Sequence, residues 1–345
     1  MTVLRRLAPI LSAIAAALPL VCDPLSPGAM AAARPRPDPV PVPQNVISRA
    51  APLKTAKTAL MPFDTAPFPY NGTVPTTGKP FIDVITDTGR KAHTTPGGRT
   101  LWQDETFSDR RVLLHIPKGF DVRKPSVMIV FLHGHGATLE RDVRDRQRVP
   151  AQVSASGANA VLVAPQLAFD ARDSSAGKFW EPGGFGRFVG EAAQKLAALH
   201  GDRRSVRTFA SMPVVIVAYS GGYLPAAACA QKGGLKKRLR GIVLLDALYG
   251  ELDTFARFIR DDPSAFFVSA YLGSTRDENA QFETLLASRE IPMTESLDGR
   301  LKQGSVTILP AAGAAPSVTH RDLVSRAWVD NPIQDLLARM REFRR

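Results

Sequence analysis

A serine stands at position 220 between an uninterrupted apolar run, Val214 to Tyr219, and a helical stretch that begins at Tyr223. Ala218 lies two residues before it and Gly222 two residues after. A turn tight enough to lift a serine hydroxyl above a strand end presses the backbone against its neighbours, so only small side chains fit at those two places. The helix that follows aims its positive end at the same spot, where it favours negative charge forming on a carbonyl oxygen. These features suit a nucleophilic serine in acyl transfer. Taken alone, a serine followed by two glycines also fits an ordinary strand-to-helix turn.

A second cluster, His133-Gly134-His135-Gly136, follows the apolar run Val127 to Leu132. His133 and His135 alternate along an extended chain and would share a side, as metal ligands do. No further His, Cys or acidic pattern completes such a site, so neither a metal nor an organic cofactor is expected.

The Ser220 turn and the His-Gly run together resemble the α/β-hydrolase family, whose nucleophile turn reads G-x-S-x-G. Ala218 stands where that family has its first glycine, which loosens the match while keeping its steric logic. The resemblance implies an oxyanion site built from backbone N–H groups of Gly221 and of His135 or Gly136. It also implies that the general base lies in the loop after the last strand. Of six histidines only His320 is there, between the strand candidate Ser305 to Leu309 and the final helix. His320 would take the Ser220 proton and return it to the leaving group.

Two carboxylates compete for the third place. Asp246 closes the apolar run Gly241 to Leu245, where its carboxylate would be partly desolvated and placed to orient an imidazole. Asp277 follows the next strand, where the family more often has its acid. Each could instead cap the helix after it. Asp246 is the preferred assignment and Asp277 the alternative. A long connection, Asp170 to Gly184, must rise over the same sheet edge as Ser220. It is expected to wall the substrate pocket, with Phe179 or Trp180 supplying apolar contact, unless those rings pack beneath the loop.

The elements that must position these residues alternate along the chain. Strand candidates are Arg111 to Ile116, Val127 to Leu132, Ala160 to Val163, Val214 to Tyr219, Gly241 to Leu245, Phe266 to Leu272 and Ser305 to Leu309. Helix candidates are Arg141 to Ser156, Phe185 to His200, Tyr223 to Leu239, Tyr249 to Arg260, Glu278 to Arg289 and Asp322 to Met340. Unbroken Val, Ile and Leu runs suit strands covered on both faces. Their alternation with helices predicts an α/β fold with a mostly parallel central sheet and helices on each side. In such sheets ligands sit beyond the carboxyl ends of the strands, where Ser220 lies.

The 345 residues are 44% hydrophobic and 22% charged, ordinary values for a chain that buries a core. Arg5 and Arg6, the apolar run Leu7 to Val21 and small residues at Ala29 and Ala31 to Ala33 read as a signal peptide over 1–33. That run is 15 residues long and holds two prolines, short of the ~20 needed to span a bilayer. The mature form is therefore expected to carry no membrane span and to be secreted or periplasmic. Prolines recur from 34 to 80, predicting a linker or surface arm, with the hydrolase-like domain at 81–345. Cys22 and Cys229 build no disulfide framework. The net charge of +12 favours anionic surroundings such as cell envelope, but no recognition motif or aromatic platform accompanies it, so no specific nucleic-acid partner is expected. The resemblance implies a serine hydrolase cleaving a carboxylic ester, or an amide, through an acyl-enzyme. The rival expectation is a non-catalytic envelope-binding protein on a hydrolase scaffold.

Overall fold

The computed structural model describes residues 51–311 and 318–345. The signal-peptide expectation, at 1–33, lies outside them, as does the arm up to residue 50.

Eleven strands are defined among the described residues: β1 (Lys57–Pro62), β2 (Val84–Ile85), β3 (Lys91–Thr94), β4 (Thr100–Trp102), β5 (Arg111–Ile116), β6 (Val127–Leu132), β7 (Ala160–Pro165), β8 (Val214–Tyr219), β9 (Leu239–Leu245), β10 (Phe266–Tyr271) and β11 (Val306–Pro310). Eight of them form one sheet in the order β1-β5-β7-β6-β8-β9-β10-β11. From β7 to β11 every neighbouring pair is parallel, and β5 runs antiparallel to both β1 and β7. The mostly parallel sheet of an α/β fold expected from the sequence is therefore present, with β6 lying between β7 and β8. A separate three-stranded antiparallel sheet, β2-β3-β4, packs through Phe68, Phe81, Leu101 and Phe107 into a small aromatic cluster.

Strand alternation explains the two cores. Met128, Val130 and Leu132 of β6, with Val214, Ile216 and Ala218 of β8, face one side; Val127, Ile129 and Phe131, with Val215, Val217 and Tyr219, face the other. Every residue of β6, β7 and β8 is buried, which is why these strands read as unbroken apolar runs. The helices are α1 (Gln103–Thr106), α2 (Val149–Ala155), α3 (Gly184–His200), α4 (Val206–Ser211), α5 (Tyr223–Lys232), α6 (Leu252–Asp261), α7 (Arg276–Ser288) and α8 (Pro332–Arg339). The first face is covered by α3, α5 and α6, and the second by α2 and α8.

Several boundaries differ from the sequence reading. β1 lies inside the segment expected to be an arm: its six residues pair in full register with β5, and Phe63, Ala66 and Phe68 just beyond it are wholly buried. The sheet thus begins well before residue 81. The helix expected over Arg141 to Ser156 is two pieces, a wide-turned segment Leu139–Arg146 and α2, because Arg148 adopts a positive φ of 53° and Pro150 begins a fresh first turn. The helix expected to run from Tyr223 to Leu239 stops at Lys232, where Gly233 and Gly234 follow and Gly234 takes φ 80°. The final helix starts only at Pro332, ten residues later than expected. Proline is well suited to that first position, with Asn331 before it in a left-handed conformation at φ 56°.

Candidate active site

Ser220 sits at the end of β8 with φ 52°, a left-handed conformation that costs a non-glycine residue about 1–3 kcal/mol. The surroundings hold it there. Ser220 to Gly222 make one tight helical turn, Tyr223 N–H closes it on the Ser220 carbonyl, and α5 continues directly. The proline at 225 falls in the first helical turn, where its missing N–H is not needed. Small residues are required by contact. A Cβ on Gly222 would lie 2.4 Å from the Leu132 carbonyl oxygen, and one on Gly134 would lie 2.7 Å from the Ser220 Cβ. The His-Gly run after β6 and the serine turn after β8 therefore meet backbone to backbone, as neighbouring parallel strands dictate.

His320 lies in a single turn after β11, tied by reciprocal bonds between Thr319 and Asp322. Its Nε2 is 2.8 Å from Ser220 Oγ and its Nδ1 is 2.5 Å from Asp246 Oδ2. Tyr219, the residue before the serine, stacks on the imidazole at 5.1 Å between ring centres, and its hydroxyl donates to the His320 carbonyl at 3.1 Å. Burial pushes the Tyr219 hydroxyl up to about 12, so it keeps its proton. Asp246 leaves β9 with φ 44° and is fully buried. It accepts from the Leu272 N–H at 3.1 Å, from Thr275 Oγ1 at 2.5 Å and from the Ser274 hydroxyl. Burial alone would raise this carboxyl. The bonds from His320, Ser274, Thr275 and Leu272 outweigh it and hold the group below its ordinary range. Asp277 is exposed in the first turn of α7, away from the imidazole that Asp246 faces.

The expected oxyanion residues divide. Gly221 follows the serine, and a Cβ there would meet the His135 ring at 2.4 Å, so His135 and Gly221 adjoin. Gly136 does not fit the role, because its N–H is already bonded to the Ala171 carbonyl at 2.8 Å. His133 is buried and structural. Its Nε2 accepts the Leu167 N–H at 2.9 Å, so the proton rests on Nδ1, which donates to the Gly134 carbonyl at 2.8 Å. Burial lowers it to about 4, and its lone pair is occupied, which removes it as a metal ligand.

A cavity of ≈ 510 Å³ opens over Ser220, walled by His135, Arg172, Ser174, Tyr223, Tyr249 and His320. The connection from Asp170 to Gly184 does wall it, but through Arg172 and Ser174. Phe179 is wholly buried against Phe185 and Phe188, and Trp180 packs edge-on to Tyr70 and Phe81. Neither aromatic lines the cavity, because a one-turn helix, Gly177–Trp180, rolls both rings inward under the loop. Arg172 and Ser174 were not singled out from the sequence; their place in that connection was the only signal. A larger cavity of ≈ 670 Å³, between α5 and α6, shares no lining residue with this one.

No family model matches the chain, and no curated protein matches it. Solved structures that it resembles include a mutant of the feruloyl esterase module from Clostridium thermocellum complexed with sinapinate, at 14% identity and TM-score 0.43, covering 79% of this chain and 95% of that one. A ferulic acid esterase aligns at 12% identity and TM-score 0.47 over 84% of this chain and 100% of the other. An S-formylglutathione hydrolase from Agrobacterium tumefaciens aligns at 13% identity and TM-score 0.39, covering 75% and 98%.

Proposed function

We propose that the protein is an exported serine hydrolase that cleaves a carboxylic ester through an acyl-enzyme on Ser220. The observation that carries this is the unbroken chain Ser220 Oγ, His320 Nε2, His320 Nδ1, Asp246 Oδ2, with contacts of 2.8 and 2.5 Å. Asp246, held ionised by its own donors, keeps the proton of the neutral imidazole on Nδ1. Nε2 is then bare toward the serine hydroxyl and takes its proton as Oγ attacks the ester carbonyl. The imidazolium so formed faces a buried carboxylate, and it returns the proton to the departing alkoxide. Negative charge on the tetrahedral oxygen would be met by the N–H groups of Gly221 and His135 and by the positive end of α5. Water, activated by the same nitrogen, then releases the acid.

No step in this sequence calls for a cofactor or metal. The leader-like sequence pattern at 1–33 is what supports export to the periplasm or beyond. Labelling by a fluorophosphonate tests the reading: modification at Ser220, with p-nitrophenyl ester hydrolysis abolished in Ser220→Ala, is expected. Equal rates for the two proteins and no adduct would leave the binding-protein alternative.

A further inference from the structure

We propose that the pocket over Ser220 selects esters that carry a carboxylate, and that Arg172 is the residue that recognises it; the inference rests on the ester-hydrolase reading above. Arg172 stands in the cavity wall, exposed, and takes part in none of the ion pairs formed among the described residues. Nearby Arg141, by contrast, is tied to both Asp142 and Asp170. Among the described residues no side chain lining the cavity is a carboxylate. Carboxylates act on the lining from behind it: Asp173 on His135, Glu251 on Tyr223, and Asp246 and Glu278 on Tyr249. Asp173 accepts the Ser175 N–H at 2.8 Å, and Asp246 is fully buried behind His320.

An arginine held at a pocket wall with no internal counter-ion keeps its planar set of donors for a ligand, and a carboxylate matches that fork. The same wall carries a serine hydroxyl. The Ser174 hydroxyl lies 2.7 Å from His135 Nε2 and 2.8 Å from where a Cβ on Gly221 would stand, so it adjoins the reacting serine. Tyr223 and Tyr249, their ring centres 5.9 Å apart, also line the cavity. A pocket with one unpaired cation, several hydroxyls and no acidic lining attracts an anion and has little to offer a long alkyl chain.

The test compares mono-p-nitrophenyl glutarate and adipate with their methyl esters, which keep the chain and remove the charge. For the protein as it is, the acids should be cleaved with at least about tenfold higher kcat/KM, a preference that shrinks with added salt. Arg172→Gln should abolish that preference, lowering kcat/KM for the acids at least about tenfold more than for the methyl esters, and Arg172→Lys should keep part of it. Equal kcat/KM for acid and methyl ester in the unmodified protein, or an equal loss on both in Arg172→Gln, would overturn the assignment. If neither ester is cleaved in a Ser220-dependent manner, the ester-hydrolase reading itself fails; if both are cleaved without preference, only the role of Arg172 does.

Discussion

Replacing Asp246 by Asn alters one atom at the deepest point of the site, and the bonds around it decide the outcome. The carboxylate now receives His320 Nδ1 at 2.5 Å and the Ser274 hydroxyl on Oδ2, and the Leu272 N–H at 3.1 Å with Thr275 Oγ1 at 2.5 Å on Oδ1. The backbone N–H of Leu272 can only donate, so the amide oxygen of Asn must take the Oδ1 place and its NH2 must face His320. Nδ1 then becomes an acceptor, the imidazole proton moves to Nε2, and the nitrogen facing Ser220 can no longer remove a proton. The opposite amide orientation sets two donors against each other at Leu272, which costs about 1–3 kcal/mol. A wrong tautomer of this kind lowers turnover about 10⁴-fold, or about 5.4 kcal/mol at 1.36 kcal/mol per decade. Hydrolysis of p-nitrophenyl acetate by Asp246→Asn, Asp277→Asn and unmodified protein, each checked for an unchanged circular dichroism spectrum, measures this. Asp277 is exposed, and its variant should turn over within about twofold of the original. A loss below tenfold in Asp246→Asn, or a hundredfold loss in Asp277→Asn, would refute the tautomer reasoning.

Three further outcomes are expected. Gly222→Ala should lower stability by about 1–3 kcal/mol and depress turnover more than KM, because its methyl meets the Leu132 carbonyl at 2.4 Å; an unchanged Tm would count against it. Trp180→Ala should leave KM for every cleaved ester unchanged and lower the Tm, since the indole packs on Tyr70 and Phe81 and not on substrate; a raised KM would reverse that. Acidification should destabilise the fold between pH 6.5 and about 4. His133 and His115 are both held near 4 by burial, so the unfolded chain takes up their protons first, and stability present above pH 6.5 is lost as pH falls, by about 3 kcal/mol for each. Urea midpoints measured across that range should fall; a flat profile would contradict it.

Why part of this molecule could be read from its residues is visible in individual elements. β6 and β8 are wholly buried on both faces, so their composition carries the strand signal without help from alternation. The serine turn announces itself because Ala218 and Gly222 must be small, and Ala218 is buried between β6 and β9. β1 was hidden because its KTALMP sequence sits among prolines and draws its stability from a partner fifty residues on. Asp246 and Asp277 both follow strands, and only the turn at Asp246, with φ 44°, decides which reaches His320. Phe179 and Trp180 illustrate a different limit: a loop's place over the sheet edge says nothing of which way its rings roll.

The late-found strand also has a practical side. Lys57–Pro62 shields β5, where five of the six residues of Arg111–Ile116 are buried and four are apolar. Lysine at one end of it and proline at the other make a poor template for a further chain. A recombinant version begun at residue 81 would strip off this guard and leave a greasy row of unpaired amides at the margin, inviting copies of itself to stack side by side. The proline-rich stretch, for all its linker-like texture, thus supplies the cover for that margin.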